Sequence, residues 1–196
     1  MVYILIYVDD IHITSNDTSL VCQFIDQLNK VFALKDLGDL NLLGIEVSRD
    51  DTGFHLNQAS YIKTLLHKAG MDNLKHVSTP AMTTKQLVKV DAPAFSYVTL
   101  YRSLLRGLQY LTHTRPDISF IVNKLSQFQQ FPTVSYWLAL KRVLRYVNGT
   151  MYDALHIKSS AELSITGFAD ADWSCSPDDR RSIGGYSIYF GGALVS

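Results

Sequence analysis

Residues 3–15 read YILIYVDDIHITS. An apolar run ends at Val8, a β-branched run begins at Ile11, and two carboxylates, Asp9 and Asp10, stand between them. Two residues between two β-rich runs is the spacing of a tight hairpin, although Asn-Gly is the favoured pair there. The reading is therefore strands over Val2–Val8 and Ile11–Thr14, with buried arms and both carboxylates at the tip. Adjacent like charges repel and gain nothing from each other. Two explanations stand side by side. The turn is a solvated acidic loop, or it is a cation site. Mg²⁺ is held by one or two carboxylates plus substrate phosphates, and two such ions about 3.5–4 Å apart clamp both oxygens of a phosphoryl transfer.

After the hairpin, Asp17-Thr18-Ser19 offers helix caps before a wide apolar face of Leu20, Val21, Phe24, Ile25, Leu28, Val31 and Phe32. Leu42–Ser48 and Phe54–Leu56 flank Asp50-Asp51-Thr52-Gly53, a second hairpin with Gly53 at a positive φ. Asn57 is placed to cap a helix that ends at Gly70, with Ile62, Leu65, Leu66 and Ala69 inward. Residues 71–95, broken by Pro80 and Pro93, read as irregular. Three helices follow: Tyr97 to Thr112; one from Pro116 with Ile118, Ile121, Val122 and Leu125 inward; and one from near Pro132 to Asn148-Gly149. The last carries a stripe of Trp137, Leu140, Val143, Leu144 and Val147. Leu163–Phe168, Tyr186–Phe190 and Ala193–Val195 read as strands.

At 196 residues and 47% hydrophobic content the chain has enough material for a real core and is not of disordered composition. The run Val2–Val8 is too short to span a bilayer and has no basic leader, which argues for an intracellular protein. Cys22 and Cys175 lack metal-ligand spacing and read as reduced thiols. The six histidines show no paired ligand spacing on a helix and read as structural or surface groups. A formal net charge of zero hides an uneven distribution. Residues 1–58 carry a net −6, residues 59–158 a net +9 and residues 159–196 a net −3. The basic middle either faces a polyanion or neutralises its acidic neighbours within the fold. Lys141, Arg142 and Arg145 fall on one helix, largely opposite its apolar stripe, and Arg102 and Arg106 repeat the four-residue spacing. Tyr61, Tyr101, Tyr110, Tyr136, Trp137 and Tyr146 are expected mostly in the core, with one or two available for base stacking. Thr114-Arg115-Pro116-Asp117 reads first as a helix start.

Tyr7-Val8-Asp9-Asp10 between two β-rich runs resembles the palm hairpin of reverse transcriptases. The likeness extends in order along the chain. LKDLGDLNLLGIEVSRDDTGFHLNQASYIKTLL (34–66), VSTPAM (77–82), YRSLLRGLQYLTHTRPDISF (101–120) and LKRVLRYVNGT (140–150) are similar to the later palm, thumb and connection of Ty1/copia-type retrotransposon polymerases. GFADADWSCSPDDRRSIGGYSIYFGGALVS (167–196) resembles the start of their ribonuclease H domain. The chain also resembles copia-like fragment reading frames of plant mitochondrial and nuclear genomes.

The resemblance implies an α+β protein in three parts: a partial palm over 1–58, a helical thumb and connection over 59–158, and the first strands of a ribonuclease H-like domain over 159–196. It implies metal-binding, catalytic roles for Asp9, Asp10 and Asp170, with Mg²⁺ or Mn²⁺ as cofactor. Asp172, Asp178 and Asp179 receive no metal role, and the last two read as loop acids paired with Arg180 and Arg181. It implies contact with a template–primer RNA–DNA or DNA duplex through Leu43, Gly44, Arg102, Arg106, Arg115, Lys141, Arg142 and Arg145. The other parts of the polyprotein are implied partners; a membrane and a small-molecule cofactor are not. The family's partner carboxylate lies on an earlier palm strand, and its ribonuclease H site takes later acids, so the expectation is two half-sites and no turnover by this chain alone. The alternative is a non-catalytic nucleic-acid-binding remnant or a domesticated adaptor. The expected compartment is cytoplasm or nucleus, or the mitochondrion for an organelle-encoded copy.

Overall fold

A computed structural model describes residues 1–8, 10–35, 38, 40–72, 74–82, 92–172 and 182–196. The fold is mixed α and β, and the chain divides into two compact units, Met1–Leu40 and Asn41–Ser196.

In the first unit, β1 (Val2–Tyr7) and β2 (Asp10–Ser15) form an antiparallel hairpin in which Tyr7 faces Asp10. Asp10 joins the ladder, so the turn falls one residue earlier than the sequence suggests. Helix α1 (Thr18–Asn29) is capped by Asp17, whose carboxylate accepts from the Ser19 N–H at 2.9 Å and the Ser19 hydroxyl at 2.7 Å. These bonds hold the Asp17 carboxyl below its ordinary range. The expectation of buried hairpin arms is overturned: Tyr3, Ile4, Leu5, Ile6 and Tyr7 are all exposed. A two-stranded ribbon has two open edges, and no described residue of this unit is fully buried.

The second unit starts with a four-stranded antiparallel sheet in the order β3 (Asn41–Leu42), β4 (Ile45–Asp50), β5 (Gly53–Asn57) and β6 (Leu155–Lys158). Strand β6 is a correction to the all-helical reading of 59–158. It returns from the far end of that segment to pair with β5, a partnership that no local pattern announces. The approach is close enough that a Cβ on Gly53 (φ +149°) would stand 2.1 Å from the Ile157 carbonyl oxygen, so only glycine fits.

Helices α2 (Ala59–Lys68), α3 (Val98–Leu111), α4 (Ser119–Ser126) and α5 (Val134–Gly149) hold the core. The Asn57 side-chain oxygen accepts from the Ala59 N–H at the start of α2. Gly70 (φ +64°) ends that helix, with the Met71 N–H reaching back to the Leu66 carbonyl. Pro116 opens a 3₁₀ turn (Pro116–Ile118) that leads into α4. Ile62, Leu65, Tyr101, Leu104, Leu108, Leu111, Ile118, Val122, Leu125, Tyr136, Leu140, Leu144 and Val147 close into one apolar cluster. Each such side chain contributes about 1.5–3 kcal/mol of burial. Tyr101 donates to the Leu125 carbonyl, which satisfies its buried hydroxyl; burial pushes that phenol up.

A three-stranded antiparallel sheet follows: β7 (Ile165–Asp172), β8 (Ile183–Phe190) and β9 (Ala193–Leu194). Cys22 is exposed and free. Cys175 and the expected pairing of Asp178 and Asp179 with Arg180 and Arg181 lie outside the described residues. Among the described residues, no helix is long and apolar enough to cross a membrane.

Candidate functional site

The hairpin tip is built by an unusual backbone. Val8 sits at φ +50°, a left-handed conformation that a β-branched residue seldom adopts. Such strain persists where the surroundings hold it, and it concentrates at functional turns. Here it turns the chain within two residues and leaves Asp10 exposed on the first position of β2. Asp9 lies outside the described residues.

Leu43 shares the left-handed conformation of Val8 at the turn between β3 and β4, with φ +55°, and Gly44 follows at φ +82°. The Asn41 side chain accepts from the Gly44 N–H at 3.2 Å. Tyr110, on α3, donates to the Leu43 carbonyl at 2.7 Å and ties this turn to the helical core. Val8 and Leu43 are thus exposed aliphatic residues in the left-handed region, each at the turn of a hairpin.

Asp170 lies within β7 opposite Gly185, is exposed, and spends one carboxylate oxygen on the Ala171 N–H at 2.9 Å. Strand β7 runs past it to Asp172, further than the sequence pattern suggests. Exposed carboxylates are hard oxygen donors, so Asp10 and Asp170 fit Mg²⁺ or Mn²⁺ in kind.

The basic groups of the helices are more engaged than expected. Arg142 donates to the Thr79 carbonyl at 3.1 Å and hydroxyl at 2.7 Å, and Arg145 donates to the Lys75 carbonyl at 2.7 Å. Asn148 donates to the Leu74 carbonyl at 3.1 Å. These bonds fasten the stretch 74–82 along α5 and enclose a groove of about 520 Å³. Its walls include Pro80, Met82 and Leu138, with Lys141, Arg142 and Arg145 among its lining. All three basic side chains are half-buried, where the sequence has them looking outward. Arg102 is exposed but donates to the Gln129 and Gln130 carbonyls; Arg106 is exposed on the same helix.

Arg115 departs from its expected role in nucleic-acid contact. It is 4% exposed, and its guanidinium donates to both Asp117 carboxylate oxygens and to the Thr150 carbonyl and hydroxyl, each at 3.0 Å or less. Tyr146 adds a hydroxyl donation to Asp117 at 2.8 Å and presents its ring 5.6 Å from the Arg115 charge. Burial alone raises the Asp117 carboxyl, but the bonds from Arg115 and Tyr146 outweigh it and hold the group below its ordinary range. The Thr114-Arg115-Pro116-Asp117 motif is therefore an internal clasp between the α3–α4 connection and the end of α5. The aromatic positions are likewise occupied. Tyr101 and Tyr136 are buried, Tyr61 meets Tyr110 edge-on, and Phe95 stacks on Trp137 at 4.6 Å.

The sequence pattern gives no sign of a meeting of Asp50, His55 and His156 on the β4–β5–β6 sheet. Only the nearness of the first two is local: position 55 follows position 50 across a two-residue turn on the same sheet face. His156 becomes visible only with the β5–β6 pairing.

Residues 1–83 match the reverse transcriptase (RNA-dependent DNA polymerase) family. Over its whole length the chain is 43% identical to part of the retrovirus-related Pol polyprotein from transposon RE1 of Arabidopsis thaliana, spanning 13% of that protein. It is 34% identical to the corresponding polyprotein from transposon TNT 1-94 of Nicotiana tabacum, spanning 15% of it. It is 38% identical, over 99% of its own length, to an uncharacterized mitochondrial protein of Arabidopsis thaliana, 81% of which it covers. No solved structure matches it. A polymerase-family match over the hairpin, and full-length identity to transposon polyproteins and to a short mitochondrial relative, place the chain in the Ty1/copia-type retrotransposon reverse transcriptase family.

Proposed function

We propose that the chain supplies the later palm (1–58), the thumb and connection (59–158) and the first ribonuclease H-like strands (159–196) of an RNA-directed DNA polymerase. The observation that carries this reading is the β1–β2 hairpin, which sets Asp10 at the first position of β2 within the residues of the family match. Asp9 and Asp10 would hold a divalent cation there, and Asp170 would do so in the ribonuclease H-like part. The bound ions supply charge neutralisation at the transferring phosphate. This chain's own task is to hold the carboxylates at fixed places on their strands. The exposed run from Tyr3 to Val8 is the surface against which the rest of a palm sheet would pack.

The template–primer duplex would lie along the basic helix faces, with Lys141, Arg142, Arg145, Arg102 and Arg106 contributing positive potential and the Leu43-Gly44 turn approaching the primer backbone. Bonds to carbonyls leave the cationic charge in place, so these arginines brace loops and attract phosphates together. Arg115 is left out because its guanidinium is buried and fully engaged.

Filter binding of the chain to an RNA–DNA duplex across a salt series tests the interface. Affinity should fall steeply with salt. Neutralising Lys141, Arg142 and Arg145 together should weaken binding and flatten the slope by about one for each phosphate that no longer meets a cation. Affinity indifferent to salt, or unchanged in the triple variant, refutes the assignment. In a longer polymerase containing this chain, Asp10→Asn should abolish primer extension and leave duplex binding intact; retained extension refutes the metal role.

A further inference from the structure

We infer that Asp50, His55 and His156 form a binding site for a divalent transition metal of the zinc class, fastening the β4–β5 hairpin to β6. The site is independent of the polymerase reading, since it uses imidazole nitrogen where the polymerase chemistry uses carboxylates alone.

His55 and His156 are directly opposed in the β5–β6 ladder, and their rings stack with centroids 4.4 Å apart and planes within 7°. Both Nε2 atoms aim at the same turn. That of His55 lies 2.9 Å from Asp50 Oδ2, and that of His156 lies 3.1 Å from Thr52 Oγ1. One ligand atom from each of Asp50, His55 and His156 lies within 4.8 Å of the other two. A tetrahedral ion with bonds of about 2.0–2.2 Å spaces its donors about 3.4 Å apart. Closing that difference asks the two imidazoles to turn about their side-chain torsions on binding the ion.

The surroundings are arranged for it. Asp50 Oδ1 is occupied by the Thr52 N–H at 2.8 Å, the Thr52 hydroxyl at 2.6 Å and the Gly53 N–H at 3.1 Å. Its second oxygen therefore points at His55 in a fixed orientation, as outer partners orient a metal-binding carboxylate. Gly53 lets β6 approach to a distance that any Cβ would forbid, and this approach sets His156 beside His55. Side-chain exposures of 31% for His55 and 53% for Asp50 leave the group open to an ion from solvent.

Two imidazoles and one carboxylate suit Zn²⁺, Cu²⁺ or Ni²⁺ and discriminate against Mg²⁺ and Ca²⁺. Three protein ligands leave a fourth position for water. Coordination at Nε2 of a neutral ring leaves its proton on Nδ1, so no co-reactant is required.

Titration of the full chain with Zn²⁺ and Co²⁺, followed by calorimetry and by the visible absorption of tetrahedral Co²⁺, tests the site. The expected result is one ion per chain and no competition from Mg²⁺. Affinity should drop at least tenfold in His55→Gln and in His156→Gln and stay unchanged in His67→Gln and His113→Gln. Equal affinity in the wild type and the His55 and His156 variants, or no binding below about 1 mM metal, overturns the proposal. A second measurement on the unaltered protein removes dependence on the variants folding. Zn²⁺ should protect His55 and His156 from diethylpyrocarbonate, mapped by mass spectrometry, and equal modification with and without Zn²⁺ overturns the site.

Discussion

Strand β1 is apolar throughout and helix α3 only in part, yet it is the strand that is exposed. In VYILIY every residue from Tyr3 onward is exposed, while in VTLYRSLLRGLQYL six residues are buried. Side-chain hydrophobicity does not account for the difference; the number of layers around each element does. Helix α3 is covered by α2, α4 and α5, whereas among the described residues β1 pairs only with β2, and α1 lies against β2. Apolar residues stabilise a fold only where a second surface removes them from water.

The largest expected effect lies at the centre of the covered region. Leu108→Ala should cost about 2–5 kcal/mol, the range for a buried leucine that leaves a cavity. Urea unfolding followed by circular dichroism measures it. A loss under about 1 kcal/mol would mean that the helical cluster is not the stabilising region, and the contrast with β1 would collapse.

The next effect sharpens the contrast through charge. Asp117→Asn removes the carboxylate that holds Arg115 and leaves a buried guanidinium with weaker partners. A hydrogen bond to a charged group is worth about 1.5–3 kcal/mol, less here because Asp117 is partly open to solvent. The pH dependence follows from the depressed carboxyl. Its contribution is complete above the unfolded-state value near 3.9 and is lost as pH falls through the lower folded value. Wild-type and Asp117→Asn stabilities should therefore differ at pH 7 and converge on acidification. A constant gap from pH 7 to pH 2 would assign the clasp's worth to packing instead of charge.

What was legible in the sequence follows the same division. Helix periodicity named Ile62, Leu65, Leu66, Ile118, Ile121, Val122, Leu125, Leu140, Val143, Leu144 and Val147 as inward, and these are buried, with Ala69 and Trp137 half-buried beside them, because a helix carries its own register. The apolar face read for Leu20, Val21, Phe24, Ile25, Leu28, Val31 and Phe32 has no buried residue, since register alone does not supply a covering layer. The Asp50–Gly53 turn was legible for the same local reason. Strand β6, the Arg115 clasp and the Asp50–His55–His156 cluster were not, since each joins residues that sequence separates widely. Arg115 meets Thr150, and His156 meets His55, only once the helical segment has returned the chain. Family motifs marked Asp10 and Asp170, but no motif shows that Arg142 and Arg145 brace the 74–82 stretch.

A smaller effect tests how tightly the core is filled. A Cβ on Gly107 would meet the Leu65 side chain at 2.4 Å, where α3 crosses α2. Helix propensity favours alanine by about 1 kcal/mol, while overpacking costs about 1–3 kcal/mol. The expected outcome of Gly107→Ala is a small net loss, read as a lower thermal midpoint. A gain would show that Leu65 yields at little cost and that the covered region is looser than its burial implies.

The smallest expected effect belongs to the uncovered strand. Ile6 is 67% exposed, so Ile6→Ala removes little buried area and should change stability by less than about 0.5 kcal/mol. The same substitution should matter in association. Under the proposed palm role, Ile6 becomes buried when further strands or a partner cover β1, and its truncation should then cost about 1–3 kcal/mol of the joint stability. Urea unfolding of the chain alone, set beside unfolding of a longer polymerase containing it, separates the two cases. An equal and negligible loss in both would leave β1 a solvent-facing strand in every context. A large loss in the isolated chain would show that apolar sequence finds cover in the first unit after all, and it would remove the contrast with α3.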